Sequence, residues 1–252
     1  MIIQIINNQG HLQSISAEDA FSFLKEKGHV VSLVGAGGKT STMYDLAEHC
    51  RKKGWKVLVS TTTRIGMPER KELLAETMEQ VRDFWKRNEI AVYGEKTVAR
   101  DQTIKLKMPK ENSLHHLIQE ADIAFLEADG ANRKPCKAPR NHEPVILEES
   151  DIVLGIMGLD TLGSRIKDVC FCLEEIETLL KKNLTETMTE QDMAVILLSE
   201  KGTRKSVEDR EYYMILNKSD LMTDRDPSGE KIRKLWELLT EHKSKVYFTR
   251  RS

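Results

Sequence analysis

VVSLVGAGGKTST, residues 30–42, decides how this chain is read. An apolar, β-branched run passes through three glycines into Lys-Thr and then into a helical pattern. Strand, glycine turn and helix in that order make a phosphate-binding loop. The glycines let backbone N–H groups turn inward, and the helix that follows aims its positive end at the same spot. The stretch departs from G-x-x-x-x-G-K-[ST], because position 33 is Leu33, and reads G-x-x-G-K-T from Gly35 to Thr40. Gly35, Ala36, Gly37, Gly38, Lys39, Thr40 and Ser41 are the candidate phosphate residues. Lys39 would reach terminal phosphates, and the Thr40 hydroxyl would ligate Mg²⁺. As a loop lysine, Lys39 is expected to lie exposed.

On either side of the loop, β-branched runs alternate with helical stretches, which predicts an α/β fold with a mainly parallel sheet. Helices are expected over 17–27, 39–53, 70–87, 111–120, 189–200 and 229–241. The helix after the glycine loop should close at Gly54. Strands are expected over 29–34, 55–60, 122–127, 151–157, 212–216 and 245–249, with a short β excursion about 90–108. With no repeat and no low-complexity linker, residues 1–252 read as one domain.

Three further motifs follow strands, and ligands of open α/β sheets lie beyond the carboxyl ends of strands. The first is Ser60-Thr61-Thr62-Thr63-Arg64. One of Thr61, Thr62 and Thr63 would hold a phosphate or a magnesium water, and Arg64 would neutralise charge developing in phosphoryl transfer. The second, DIAFLEADGA at 122–131, ends in Glu127-x-Asp129-Gly130. Residues two apart in a strand share a face. Two such carboxylates suit a cation, so Thr40, Glu127 and Asp129 are the candidate Mg²⁺ ligands, and Glu127 is also a candidate to orient a nucleophile. The third is Asn217-Lys218-x-Asp220, after the strand that ends EYYMIL. A carboxylate there can accept two coplanar hydrogen bonds from a base edge. In NRKPCKAPRNHEP, 132–144, Arg133, Lys134, Lys137 and Arg140 would bind an anionic cofactor or client, while Cys136 and the Cys170-x-Cys172 pair are expected to be inert.

Charge is balanced, 39 basic residues against 40 acidic, so no nucleic-acid partner is expected. No apolar run reaches the length of a membrane span, and the four scattered cysteines fit a reducing, cytoplasmic location.

Several resemblances sharpen these expectations. The N-K-x-D spacing resembles the guanine-reading turn of the GTPases, which leaves GTP or ATP as the nucleotide. The short glycine loop resembles the ATP loop of the Mur ligases, which would make the chain an ATP-dependent ligase-like enzyme. As a set, VGAGGKTS, STTTRIG, FLEADGANRKPCKAPRNHEPVI, GLDTLG and LNKSD resemble the YqeC family of selenium-dependent hydroxylase accessory proteins. That resemblance implies a P-loop NTPase-like three-layer fold. It also implies Mg²⁺-dependent NTP hydrolysis or phosphoryl transfer in the maturation of selenium-dependent molybdenum hydroxylases, with such a hydroxylase as client. A non-catalytic nucleotide-gated cofactor chaperone is the other reading. After GLDTLG the resemblance calls for a His-Arg pair, and Val169-Cys170-Phe171 stands there instead.

Overall fold

The computed structural model describes residues 1–68, 73–99, 102–241 and 245–251. In chain order the strands are β1 (Ile2–Ile6), β2 (Leu12–Ile15), β3 (His29–Gly35), β4 (Val57–Thr61) and β5 (Arg64–Gly66). They continue with β6 (Leu74–Ala75), β7 (Ala91–Tyr93), β8 (Glu95–Val98), β9 (Ile104–Lys107) and β10 (Ile123–Glu127). The last are β11 (Cys136–Lys137), β12 (Ile152–Gly158), β13 (Cys170–Phe171), β14 (Glu211–Asn217) and β15 (Lys245–Arg250). The helices are α1 (Ala17–Ala20), α2 (Lys39–Lys52), α3 (Met78–Lys86), α4 (Glu111–Glu120) and α5 (Ile166–Val169). They end with α6 (Leu173–Leu180), α7 (Glu190–Leu198), α8 (Met222–Arg225) and α9 (Glu230–Thr240).

Ten strands make one large sheet in the order β2-β1-β15-β14-β12-β3-β10-β4-β7-β6. Every pairing from β15 to β6 is parallel, and β1 alone is reversed, pairing antiparallel with both β15 and β2. A parallel sheet needs cover on both faces, so its central strands are apolar on both. Val31, Leu33, Val57, Val59, Ile123 and Phe125 face one cluster together with Met43, Leu46 and Ala47 of α2. Val30, Leu58, Ala124 and Leu126 face the other side, against Val81 of α3 and Leu114 and Leu117 of α4. Met214, Leu216 and Phe248 extend that side under α7 and α9.

Register sets the place of the site. Glu127 at the end of β10 lies opposite Leu33 of β3 and Thr61 of β4, while Gly158 of β12 lies opposite Asn217 of β14. The glycine loop, the threonine run, the acidic motif and the Asn-Lys turn thus leave the same edge of the sheet.

Several expected elements are altered, each for a tertiary reason. The helix expected over 17–27 stops at Ala20, and Phe21 is extended at φ −119° and ψ 101°. That break lets Phe21 and Phe23 both bury fully and meet Tyr213. Burying each aromatic ring contributes about 2–3 kcal/mol, more than helix continuity would. In the 70–87 stretch the helix starts at Met78 behind the Thr77 cap, and residues 69–72 lie outside the described residues. Within 90–108, β7 joins the main sheet, while β8 and β9 form a small antiparallel sheet with β5. Residues 100–101 of that stretch are likewise outside the described set. The helix after the loop does close at Gly54, with φ +76°. The hairpin of β1 and β2 was not expected at all, since Asn7 and Asn8 interrupt its apolar alternation. Among the described residues no helix is long and apolar enough to cross a membrane.

Candidate functional site

Gly35, Gly37 and Gly38 turn the chain from β3 into α2 at φ values of +90°, +79° and +137°. All three are also places of close approach, and a Cβ on Gly35 would stand 2.3 Å from the Ile156 carbonyl oxygen. A Cβ on Gly37 would stand 2.3 Å from the Gly158 backbone nitrogen, and one on Gly38 would stand 2.0 Å from Asn217 Nδ2. Only glycine satisfies both the torsion and the contact. Gly38 is also the N-cap of α2 and supplies no side-chain cap, so the first-turn N–H groups are left for another acceptor.

Lys39 is 4% exposed, which corrects the expectation of an exposed loop lysine. The helix starts at Lys39 itself, and the turn folds its side chain back under the loop. Its Nζ donates to Gly35 O at 2.5 Å and lies 3.0 Å from Asp129 Oδ1 and 3.8 Å from Glu127 Oε1. Burial alone would lower the Lys39 pKa, but Asp129 and Glu127 outweigh it and hold the ammonium above its ordinary range. Thr40 Oγ1 donates to Glu127 Oε2 at 2.8 Å. Burial pushes the Glu127 carboxyl upward, against the opposing pull of Lys39 and Thr40, and Asp129 adds to the rise. Asp129 lies beyond the end of β10, yet it is 1% exposed and accepts from Gly35 N at 3.0 Å. Asp129 Oδ1 accepts no hydrogen bond among the described residues and faces only the Lys39 charge.

A second buried lysine completes this cluster. Lys137, expected among the anion-binding residues of the basic loop, turns inward and is 1% exposed. It donates to Gly130 O and to Glu143 Oε2, both at 2.7 Å, and stands 3.3 Å from Asp129 Oδ2. The basic segment therefore acts first as a strap on the acidic strand end. The other three differ: Lys134 donates to Asp168 O, Arg140 lies over the Phe171 ring, and Arg133 is exposed.

Glu143 went unnoticed in the sequence, although its six-residue spacing from Lys137 across Pro139 was visible. Burial would raise its pKa, but Lys137 and two backbone N–H groups win and hold it below the ordinary 4.5. A depressed carboxylate stabilises the fold above its unfolded pKa, and that contribution is lost as pH falls through the folded value. Glu143→Gln is expected to cost about 1–3 kcal/mol near neutrality and almost nothing in strong acid. Urea denaturation of both proteins across that range checks it, and a gap that persists in acid would disprove the charge role.

The threonines separate by their partners. Thr61 Oγ1 donates to Glu127 O at 2.9 Å and Thr62 Oγ1 to Val145 O at 2.6 Å. Thr63 Oγ1 is buried with no partner among the described residues. Arg64 opens β5, is exposed, and pairs with neither Glu127 nor Asp129. On the other flank, Asn217 Nδ2 donates to Gly37 O, and its Oδ1 accepts from Thr249, each at 2.9 Å. Lys218, at φ +66°, reaches Asp160 Oδ2 at 2.6 Å, and Asp220 is exposed on the next turn. Asp160, inside GLDTLG, is a second residue the sequence reading missed, because only the glycines there carried a signal.

Cys136 and Cys170 are opposed in register and buried, and the contact between their thiols together with burial pushes the Cys136 pKa well up. That fits the inert thiol expected. Among the described residues no three His, Cys, Asp or Glu side chains converge as a metal cage. Two carboxylates and a hydroxyl would suit Mg²⁺, which keeps waters and takes phosphate oxygens, and Asp129 Oδ1, which faces only the Lys39 ammonium, would be one of its ligand atoms.

A family model described as YqeC protein matches residues 31–174, which take in the glycine loop, the threonine run, the acidic strand end and the strap. The Asn217–Asp220 turn lies outside that span. An uncharacterized protein YqeC of Escherichia coli (strain K12) is 33% identical over 151 residues, 54% of this chain and 54% of the relative. The chain thus spans about half the length of the curated relative it matches.

Proposed function

The chain belongs to the YqeC family, and from that premise we propose that its glycine loop binds a nucleoside triphosphate for Mg²⁺-dependent hydrolysis or phosphoryl transfer. One observation carries this reading: Lys39, Thr40, Glu127 and Asp129 meet at one sheet edge beneath an uncapped helix start. This supports reading the chain as a P-loop NTPase-like protein and as a single cytoplasmic domain. Thr40, Glu127 and Asp129 would hold Mg²⁺, which supplies neutralising charge to phosphate oxygens. Lys39 exchanges its carboxylate partners for the terminal phosphates. Glu127 would either share that cation or orient the attacking group, since its Oε2 accepts from Thr40 Oγ1 at the same sheet edge. Thr63 is the threonine left to meet phosphate or a magnesium water. The client role in maturing selenium-dependent molybdenum hydroxylases rests on the family resemblance alone.

Asp129→Asn tests the reading. It keeps an oxygen for Gly35 N but removes the charge that faces Lys39 and a cation. Magnesium-dependent turnover should fall by at least about a hundredfold, with triphosphate binding weakened less. Turnover equal to the parent's, or turnover in the parent without magnesium, would remove Asp129 from this role.

A further inference from the structure

The basic loop and α2 share a cavity of about 760 Å³ that opens beside the glycine loop. Its floor is Thr40, Ser41 and Tyr44 of α2, and its walls include Met67, Leu73 and Ile90. It is continuous with the candidate phosphate site through Thr40 and Ser41, and no residue of Asn217–Asp220 lines it. An apolar wall facing polar and charged side chains, at this volume, suits a small molecule with an apolar face and a polar one.

Charge points to the ligand's sign. Two acids and two arginines also line the cavity. Asp45 is paired with the N-terminal amine at 3.5 Å, and Glu48 is held by both ends of the Arg51 guanidinium. Arg133 and Arg251 form no ion pair among the described residues. An excess of positive charge therefore faces the apolar walls.

Arg133 is also held in place. Asn132 and Arg133 both have left-handed torsions, φ +46° and +61°, which Asn adopts readily and Arg uncommonly. Lys134 N closes the turn onto Ala131 O, and the carbonyls of Lys134 and Pro135 accept from Gly37 N and Gly158 N at 3.2 and 2.9 Å. The tip bearing Arg133 is thus fastened to the glycine loop itself.

We infer that this cavity is the site of a second ligand, an aromatic or heterocyclic anion whose ring lies against Met67 and Ile90 and whose charge meets Arg133. This rests on the reading that the loop holds a triphosphate, next to which the second ligand would stand as acceptor or co-substrate. Arg133, not Arg64, is the arginine the fold fastens beside the loop.

The probe is 8-anilinonaphthalene-1-sulfonate, an aromatic anion, titrated into the full chain alone and with saturating ATP or GTP and Mg²⁺. The parent should show one saturable site that persists when triphosphate is bound. Arg133→Ala should lower sulfonate affinity about tenfold, as expected for losing a charge-assisted contact. Met67→Glu, which places a carboxylate on the wall, should lower it at least as far while triphosphate affinity stays at the parent's value. Lys231→Ala, on the exposed face of α9, should change neither. Because Arg133 is exposed, its variant keeps the test sound even if Met67→Glu folds poorly. Sulfonate binding insensitive to Arg133, absence of a saturable site, or direct displacement by triphosphate would overturn the cavity reading. Failure of the parent to bind any triphosphate would instead strike the nucleotide reading, and the co-substrate role with it.

Discussion

Lys39→Ala is expected to abolish triphosphate binding and, separately, to cost the fold about 3–5 kcal/mol near neutral pH. The first effect follows from position, since Lys39 Nζ sits where the loop closes on Gly35 O at 2.5 Å. The second follows from burial. Glu127 and Asp129 are 6% and 1% exposed, and Lys39 lies within 3.8 and 3.0 Å of them. Its removal leaves Asp129 with Lys137 alone and Glu127 with no lysine inside ion-pair distance. Stranding a buried charge costs far more than an intact pair contributes. Urea denaturation and calorimetric titration with ATP and GTP, run at one temperature on the folded variant, separate the two effects. Parent-like triphosphate affinity would end the phosphate-loop reading. Parent-like stability would show that the cluster does not depend on this ammonium.

Asp220→Asn should weaken GTP binding about thirty- to a thousandfold and strengthen binding of XTP, with ATP little changed. A guanine edge offers two donors, N1–H and the exocyclic amine, to a carboxylate that accepts both. The amide presents one acceptor and one donor, so one charge-assisted bond is lost and another group is left unpaired, at about 2–4 kcal/mol together. The turn stands beside the glycine loop. Asn217 ties it to Gly37 O, the Lys218 ammonium is anchored on Asp160, and Asp220 is exposed beside them with no partner among the described residues. Titrating parent and variant with the three triphosphates at one magnesium concentration decides it. A parent that prefers ATP, or a variant with undiminished GTP affinity, would reduce Asn217–Asp220 to a structural turn.

Local chemistry made much of this protein readable from its sequence. The glycine loop, the strand before it and the helix after it are set by neighbours: β-branched residues for β3, glycines for positive torsions, Gly54 to end α2. The same holds for α4, which spans residues 111–120 as expected, and for the acidic end of β10. Strand ends could be read as candidate site positions because a parallel sheet delivers all of them to one edge.

What the sequence left open depended on distant partners. No pattern around 17–27 shows that Phe21 will leave the helix, because the reason is Tyr213, far along the chain. The loop lysine was expected outside, but burial of Lys39 is decided by Asp129 and Glu127, which arrive from a strand about ninety residues away. Composition likewise made Arg133, Lys134, Lys137 and Arg140 one basic patch. The fold divides them, sending Lys137 inward to Asp129 and Glu143 and holding Arg133 at the cavity mouth. Sequence alone determines which groups carry charge and which segments form strands and helices, since both are properties of residues and their neighbours. Which charge is buried, paired or left facing a cavity is settled only by packing, because the cost of desolvation depends on what long-range contacts bring within a few ångströms.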